Sequence, residues 1–302
     1  MPDLTQSLPQ LPHLGILRIY GTDARAFLQG QLSNDLNHLR ADRTLLASCN
    51  SPQGRVQAIV RLIDRGEDAI LAVLPRSMLE LTAKRLAKYI LRSKVKIENV
   101  SASYTVLAAL EAAADIASRY ALPTDLDTHC LQNETSFVRW PDPLLRYLIV
   151  RPQSPSDVSL RDGTHVWHAA DIRAGVPQVY PETHERFIAQ MLNVDLLNGI
   201  STTKGCYTGQ EIIARTHFLG AIKRRMFRLQ AACPPPPPGA RILNQGQHAG
   251  DVVDAVATQA GCELLAVLNL SVQDAPLTLA DTPSAALTKL PLPYSIAANT
   301  DQ

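Results

Sequence analysis

Residues 204–211 of this 302-residue chain are Lys-Gly-Cys-Tyr-Thr-Gly-Gln-Glu. No other stretch combines a thiol, a neighbouring cation and the residues of a helix start in so few positions. The Thr-x-x-Glu pattern from Thr208 to Glu211 predicts a capping box, in which each side chain accepts a hydrogen bond from the other residue's backbone amide. The apolar residues that follow continue the pattern of a helix start. We therefore expect Cys206 just outside a helix N-terminus and beside the cation of Lys204, two neighbours that favour a thiolate over a thiol.

The composition is that of a globular protein rather than a broadly basic nucleic-acid binder. Hydrophobic residues make up 46% of the chain, charged residues 19%, and the formal net charge is +1. Direct binding of tRNA is therefore not expected from the overall charge. One local basic run, Lys223-Arg224-Arg225 with Arg228, could still form a patch, although such runs are more often solvated faces.

Cysteine usage and the start of the chain predict a cytoplasmic protein without a metal site or a membrane span. The five cysteines are far apart and show no spacing typical of metal ligands. Residues 1–12 are polar and proline-bearing, unlike a secretory signal, and no apolar run approaches the length of a membrane span. Reduced thiols are expected in that compartment.

Strands alternating with helices over the first two thirds predict an α+β fold. Residues 14–20, 55–64 and 69–74 have strand character, whereas 23–37 and 75–92 have the spacing of helices. This order favours ferredoxin-like lobes over a long parallel sheet. After five consecutive prolines, 234–238, only short strands and turns follow, which indicates a small barrel. We predict an α+β region over 1–222, with a second lobe inserted around 95–155, and a barrel domain over 223–302.

The motif and several further stretches resemble the YgfZ family, a branch of the superfamily of folate-dependent aminomethyltransferases that includes the T-protein of glycine cleavage. The resemblance covers nearly the whole chain. It implies an aminomethyltransferase-like three-lobed ring, with two ferredoxin-like lobes and a small C-terminal β-barrel around a central hole. It rests on Phe27–Gln31, Asn34-Asp35, Gly54-Arg55, Ile172–Pro177, Gln190–Asn193, Ile200–Arg215, Gly220 and Lys223-Arg224.

The resemblance also implies a function. Tetrahydrofolate or a derivative would bind in the hole, and the protein would help to assemble or repair iron–sulfur clusters in client enzymes, including radical enzymes that modify tRNA. Its partners would be the reduced folate and iron–sulfur client or carrier proteins. The transferases' aspartate pair is replaced here by Val56-Gln57-Ala58-Ile59, so aminomethyl transfer is not expected, and activity as a conventional enzyme stays open.

Cys206 is the expected working thiol, and Lys204 its electrostatic partner. Cys206 could serve as a cluster ligand, a sulfur carrier or a redox-sensitive thiol. The resemblance places two folate-associated tryptophans of the family at Leu14 and Trp167, so half of that aromatic pair is absent. The candidate folate-binding residues are Asn34, Asp35, Trp167, Arg173, Tyr207, Gln210, Glu211 and Arg215.

Several of these residues have an equally simple structural explanation. Trp167 can be a core residue instead of a shelf for the pterin ring, and Tyr207 can close the core. Glu211 is explained by helix capping alone, and Arg215 could pair with it at i, i+4. Two other functions compete with the accessory role: one-carbon transfer through Cys206, and direct tRNA binding through the run at 223–228.

Overall fold

The computed structural model describes residues 8–66, 69–110, 113–142, 144–218, 220 and 222–296, which form three units. The first unit is built on a five-stranded antiparallel sheet in the order β2-β3-β4-β1-β5. Its strands are β1 (Leu14–Tyr20), β2 (Leu45–Asn50), β3 (Val56–Asp64), β4 (Ala69–Pro75) and β5 (Lys96–Asn99). Its helices are α1 (Ala24–Gln29) and α2 (Leu79–Ala87).

Strand β1 is buried on both faces, which explains its nearly continuous apolar sequence. Leu17 and Ile19 belong to the core of the first unit, whereas Leu14 and Ile16 pack into a second core that also contains residues of the second unit. Because successive side chains of a strand point to opposite faces, one strand supplies both cores. The two sheets are thereby packed back to back.

The second unit is a four-stranded antiparallel sheet in the order β6-β9-β8-β7. Its strands are β6 (Tyr104–Ala109), β7 (His129–Gln132), β8 (Thr135–Arg139) and β9 (Tyr147–Pro152). Helix α3 (Ala113–Tyr120) lies within this unit, and α4 (Thr164–Ala174) follows it. Helix α5 (Gln210–Phe218) precedes the third unit.

The third unit is a closed barrel in the order β10-β13-β12-β11-β14-β15, which leaves no free sheet edge. Its strands are β10 (Arg224–Ala231), β11 (Arg241–Asn244), β12 (Gln247–Thr258), β13 (Gly261–Asn269), β14 (Leu277–Leu279) and β15 (Thr282–Leu290). The prolines at 234–238 lie in the connection between β10 and β11. The α+β class with a C-terminal barrel is therefore confirmed.

Two predicted helices are shorter than the sequence pattern suggested. The helix expected over 23–37 ends at Gln29, because the side chains of Asn34 and Asp35 bind nearby backbone amides and build a turn instead. The helix expected over 75–92 is regular only from Leu79 to Ala87 and is preceded by a 3₁₀ turn.

The segment after the barrel returns to the first two units. The hydroxyl of Tyr294 donates to the carbonyl oxygen of Gly175 at 2.8 Å and lies 3.4 Å from the amide nitrogen of Asn193. Gly175 has φ +66°, and a Cβ there would lie 2.5 Å from the Tyr294 hydroxyl. Glycine is therefore required at 175 both by the backbone and by the tail. None of the helices formed by the described residues has the length and apolarity needed to cross a membrane.

Candidate functional site

A cleft lies between the two sheet units, the segment that precedes α5 and the tail after the barrel. It consists of three adjoining cavities of about 450, 270 and 340 Å³. The first two share Asn198, the second and third share Leu126, and the first and third share His38 and Arg43. Because each shares wall residues with the other two, the three cavities adjoin one another, and together they are called the cleft. The volume of the largest one is that of a typical small-molecule site.

The largest cavity has a polar wall that is held rigidly. The side-chain amide of Asn34 donates to the carbonyl oxygens of Leu46 at 2.8 Å and Asn198 at 2.7 Å. Asp195 accepts two hydrogen bonds from Arg225, at 2.7 and 2.9 Å. This fork-to-fork pair fixes the carboxylate at the cavity wall.

Two arginines contribute positive charge to the cleft. The backbones of Arg40 and Arg43 exchange two hydrogen bonds, each of 3.1 Å, so that both residues sit on one tight turn. Both side chains are exposed, and among the described residues neither forms an ion pair. Arg43 lines two of the cavities and Arg40 one of them, in the company of Asp42 and Asp125.

The remaining part of the cleft is the most apolar. Its wall includes Leu126, Pro141, Leu197, Pro293 and Tyr294, which come from the second unit, the connection to α5 and the tail. The tail therefore completes this wall. Burial raises the pKa of Tyr294 to about 12, so its hydroxyl stays protonated and can donate.

The loop over residues 201–208 contains Cys206 and is called the motif loop; it runs along the rim of the cleft. Ser201, Thr202 and Thr203 line the largest cavity. The loop is fastened at both ends, because the amide of Ser201 donates to the carbonyl of Ser33 at 2.9 Å and that of Thr208 to the carbonyl of Gly30 at 3.2 Å. Between these anchors Cys206 is exposed. A thiol is thus presented to solvent three residues beyond the cavity wall.

Lys204 anchors the motif loop to the backbone of residues 29–34. Its ammonium group donates to three carbonyl oxygens, those of Gln29 at 2.6 Å, Leu32 at 2.9 Å and Asn34 at 2.7 Å. All three hydrogens are used, so Lys204 has a structural role in the loop, and its expected role as electrostatic partner of the thiol stays a prediction. Burial lowers the pKa of Lys204 to about 8.

No family model matches the chain, but individual known proteins are similar to it over nearly its whole length. The tRNA-modifying protein YgfZ of Yersinia enterocolitica is 30% identical over 311 residues, covering 97% of this chain and 94% of that protein. YgfZ of Edwardsiella ictaluri is 32% identical over 300 residues, covering 92% of this chain and 89% of its own. The chain belongs to the YgfZ family. The predicted resemblance is therefore confirmed.

A solved structure supports the architecture expected of a YgfZ-family member. The aminomethyltransferase T of the glycine cleavage system from Bartonella henselae superposes with a TM-score of 0.70. The match covers 94% of this chain and 84% of that one, at 13% sequence identity. At this identity the likeness concerns the fold alone, and it confirms the aminomethyltransferase-like arrangement of lobes and barrel.

The start of helix α5 in this YgfZ-family chain differs from the predicted capping box. The helix begins at Gln210, whose side-chain oxygen accepts from the amide of Tyr207 at 3.3 Å, and the hydroxyl of Thr208 lies 3.5 Å from Gln31. The cause is Gly209, which has φ +83° and separates Thr208 from the helix. A Cβ on Gly209 would lie 2.5 Å from the carbonyl oxygen of Ser51, so the glycine lets the loop approach the β2–β3 turn.

Trp167 is a core residue, which corrects its expected role as a shelf for the pterin. Its side chain is fully buried, with its ring 5.5 Å from that of Trp140 and under the guanidinium of Arg146 at 4.6 Å. Leu14 lies in the same apolar cluster. Both positions that the family resemblance associated with folate are therefore covered by other side chains.

The other predicted binding residues are spread around the site. Tyr207 is buried beneath the Lys204 ammonium, with its pKa raised to about 12 by burial, and Arg173 pairs with Glu263 of the barrel at 3.4 Å. Asp35 caps a 3₁₀ turn, and its pKa is lowered first by the hydrogen bond from the Asn37 amide.

Of the other candidates, Asn34 is the one that lines the cavity. Glu211 and Arg215 are exposed on α5, and the described residues show no ion pair between them. Sequence reasoning missed Asp195, Asn198, Arg43 and the residues of the second unit at the cavity wall. None of these carries a local sequence signal.

The five cysteines, all in described parts of the chain, differ in access. Cys206 is exposed, whereas Cys49 is fully buried and its pKa is raised to about 11 by burial. Cys233 and Cys262 are buried in the barrel with their sulfurs 4.0 Å apart. Among the described residues, no three His, Cys, Asp or Glu side chains are grouped as metal ligands would be. Cys206 is thus the thiol available to a partner.

The arginines of the basic run at the start of the barrel are engaged in contacts within the protein. Arg225 pairs with Asp195, Arg228 donates to Glu263 at 3.1 and 2.7 Å, and Arg224 donates to the side chain of Asn269 at 2.7 Å. These arginines join strands and units, so they do not offer a free surface for phosphates.

Proposed function

We propose that this chain is a folate-binding accessory protein that assists the assembly or repair of iron–sulfur clusters, with Cys206 as its working thiol. The clients would include enzymes of tRNA modification, in line with the names of the YgfZ relatives. The observation that carries the proposal is one exposed thiol on a fastened loop whose preceding residues line the cleft.

The chemistry of the cleft fits a reduced folate. The apolar wall with Pro141, Pro293 and Tyr294 suits the flat pterin and aminobenzoyl rings. The remaining lone pairs of the Asn34 side-chain oxygen and of the Asp195 carboxylate can accept hydrogen bonds from the N–H groups of a pterin. Arg43, without an ion-pair partner among the described residues, suits a glutamate carboxylate. When bound, tetrahydrofolate supplies carrier nitrogens for one-carbon units.

One-carbon transfer by this chain is less well supported than the accessory role, for a physical reason. The positions where the transferases have aspartates lie at the start of β3, where Val56 and Ala58 are buried and Gln57 is half-buried. Gln57 accepts a hydrogen bond from Arg85 at 2.9 Å and donates one to Glu185 at 2.5 Å. The stretch 56–59 itself carries no carboxylate, and the neighbouring Glu185 carboxylate is engaged by Gln57, so the residues of the stretch cannot take a proton from a reacting amine. An accessory role for the folate therefore fits better.

Folate binding is tested by calorimetric titration with tetrahydrofolate without oxygen. Both tryptophans are buried, so heat is a more direct signal than fluorescence. We expect binding by the wild type, and about tenfold weaker binding by Arg43→Ala, because a charge-assisted hydrogen bond to the glutamate is lost. Arg241→Ala, an exposed arginine of the barrel, is the matched control. No heat with the wild type would refute the folate proposal.

The thiol is tested by complementing cells that lack this protein and measuring the activity of a tRNA-methylthiolating radical enzyme under oxidative stress. We expect the activity of this client enzyme to fall at least about tenfold in cells that carry Cys206→Ala. The melting temperature of the variant should stay within about 2 °C of the wild type, because the side chain is exposed. Cys130→Ala, which removes a half-buried thiol of the second unit, is the control. Full activity of Cys206→Ala would end the thiol hypothesis.

The competing one-carbon transfer makes a different prediction for the same residue. Incubation with a loaded folate would leave a one-carbon group on Cys206, visible as a mass increase of the intact protein that is absent in Cys206→Ala. An unmodified thiol together with loss of client activity in Cys206→Ala supports the accessory role instead.

A further inference from the structure

The most basic segment of the chain lies outside the run at 223–228. Residues 84–96 contain six cations and no acidic residue: Lys84, Arg85, Lys88, Arg92, Lys94 and Lys96. They occupy the last turn of α2, the connection that follows it, and the first residue of the edge strand β5. We call residues 84–96 the basic strip. The net charge of +1 averages over the whole surface and hides it.

Five of the six cations of the basic strip are free to meet a partner, whereas Arg85 is hydrogen-bonded within the protein. Lys84, Lys88, Arg92, Lys94 and Lys96 are all exposed. Within the described part of the chain, the one ion pair among these five joins Lys84 to Glu80, and both side chains are at least 70% exposed. Water screens such a pair, so it competes weakly with an incoming phosphate. The strip therefore differs from 223–228, whose arginines are engaged.

Aromatic rings accompany these cations. Tyr89 is exposed, and the guanidinium of Arg85 lies 4.3 Å from its ring centre. On the opposite face of the sheet edge, the cations of Arg18 and Lys96 lie 4.5 and 5.9 Å from the ring of Tyr20. Cations that follow a backbone, together with rings on which bases stack, are what single-stranded nucleic-acid sites use.

The basic strip begins beside the motif loop. Arg85 donates to the side chain of Gln31 at 2.5 Å and to the carbonyl of Asn50 at 3.0 Å. The same Gln31 oxygen is 3.5 Å from the hydroxyl of Thr208, two residues from Cys206. A polyanion bound along the strip would therefore pass close to the exposed thiol.

We propose that the basic strip is a binding surface for single-stranded or looped RNA, which departs from the expectation based on net charge. An anionic membrane shares the phosphate chemistry but would need a continuous apolar face on α2. Leu81 and Leu91 are exposed near the strip, but the main apolar face of the helix is buried with Leu79 and Leu86. Bases, in contrast, would stack on the exposed ring of Tyr89. The proposal does not rest on folate binding, because the strip lies outside the residues that line the cleft.

The test is fluorescence anisotropy of a labelled 20-nucleotide single-stranded RNA with the full chain, at about 50 to 200 mM KCl. Four phosphate contacts would give a slope of log affinity against log salt of about −3. Reversing three charges together, by Lys88→Glu, Arg92→Glu and Lys94→Glu, should weaken binding at least tenfold and reduce the slope by about 2. The matched control reverses Arg119, Arg161 and Arg241, which are exposed elsewhere.

A second variant separates stacking from charge. Tyr89→Ala should weaken RNA binding about tenfold with an unchanged salt slope, and Tyr89→Phe should restore it. Three results would overturn the proposal: no RNA binding by the wild type at 50 mM salt, equal losses in both triple variants, or binding of phosphatidylserine vesicles without binding of RNA. Tetrahydrofolate titration of the strip variant shows whether the cleft is intact.

Discussion

We expect Lys204→Met to lower the melting temperature by about 6 °C. The substitution keeps the length of the side chain but leaves the carbonyls of Gln29, Leu32 and Asn34 buried without their donor. Each orphaned buried polar group costs roughly 1–3 kcal/mol, and part of this is offset because the ammonium no longer has to be desolvated. A net loss of about 4 kcal/mol corresponds to roughly 6 °C for a chain of this size.

The same substitution should also weaken tetrahydrofolate binding below the melting transition, because Asn34 lines the cleft and its backbone is one of the three acceptors. Thermal melting followed by circular dichroism measures the first effect and calorimetry the second. Lys223→Met is the control, since Lys223 is exposed, and its melting temperature should stay within about 2 °C of the wild type. Equal melting temperatures for the two variants would show that the three hydrogen bonds contribute little.

A loss of similar size is expected for Asp171→Ala on helix α4. The Asp171 carboxylate accepts from the indole nitrogen of Trp140 and from Arg146, both at 2.8 Å, and it is almost fully buried. Its removal leaves a buried N–H without an acceptor and Arg146 with Asp142 as its remaining carboxylate. Breaking a buried ion pair costs about 3–5 kcal/mol, which again corresponds to roughly 6 °C.

This effect should reach the apolar wall of the cleft. Arg146 donates to the carbonyl of Pro141 at 2.8 Å, and both Pro141 and Asp142 line that wall. Asp274→Ala is the matched control, because Asp274 forms an exposed pair with Lys289 that is worth less than about 1 kcal/mol. If Asp171→Ala and Asp274→Ala had the same melting temperature, the buried ion pair would not be what holds α4 to the second unit.

The sequence predicted those parts of the fold that depend on local pattern. The strand predicted over 14–20 is confirmed, since β1 has those bounds. Short strands and turns after 234–238 indicated the barrel. The pattern failed at 23–37, where an apolar helical spacing continues through Asn34 and Asp35, whose side chains stabilise a turn instead.

The site was less predictable because its walls come from distant parts of the chain. The exposure of Cys206 agrees with its expected role as a working thiol, which stays a prediction. Lys204 and Trp167 have the residue types expected at a site, but tertiary packing assigns them to support, on three carbonyls and between Trp140 and Arg146. Arg43 and Asn198 become cavity residues only when the units assemble.

The return of the tail has a consequence for biosynthesis. The chain is made from its N-terminus, and its units fold in the order of their synthesis. The two sheet units and the polar wall of the cleft can thus form on the ribosome before Pro293 and Tyr294 exist, yet the apolar wall needs both residues. Ligand binding should therefore arise only once the segment after the barrel has been translated. A bound ligand would then distinguish finished chains from prematurely terminated ones.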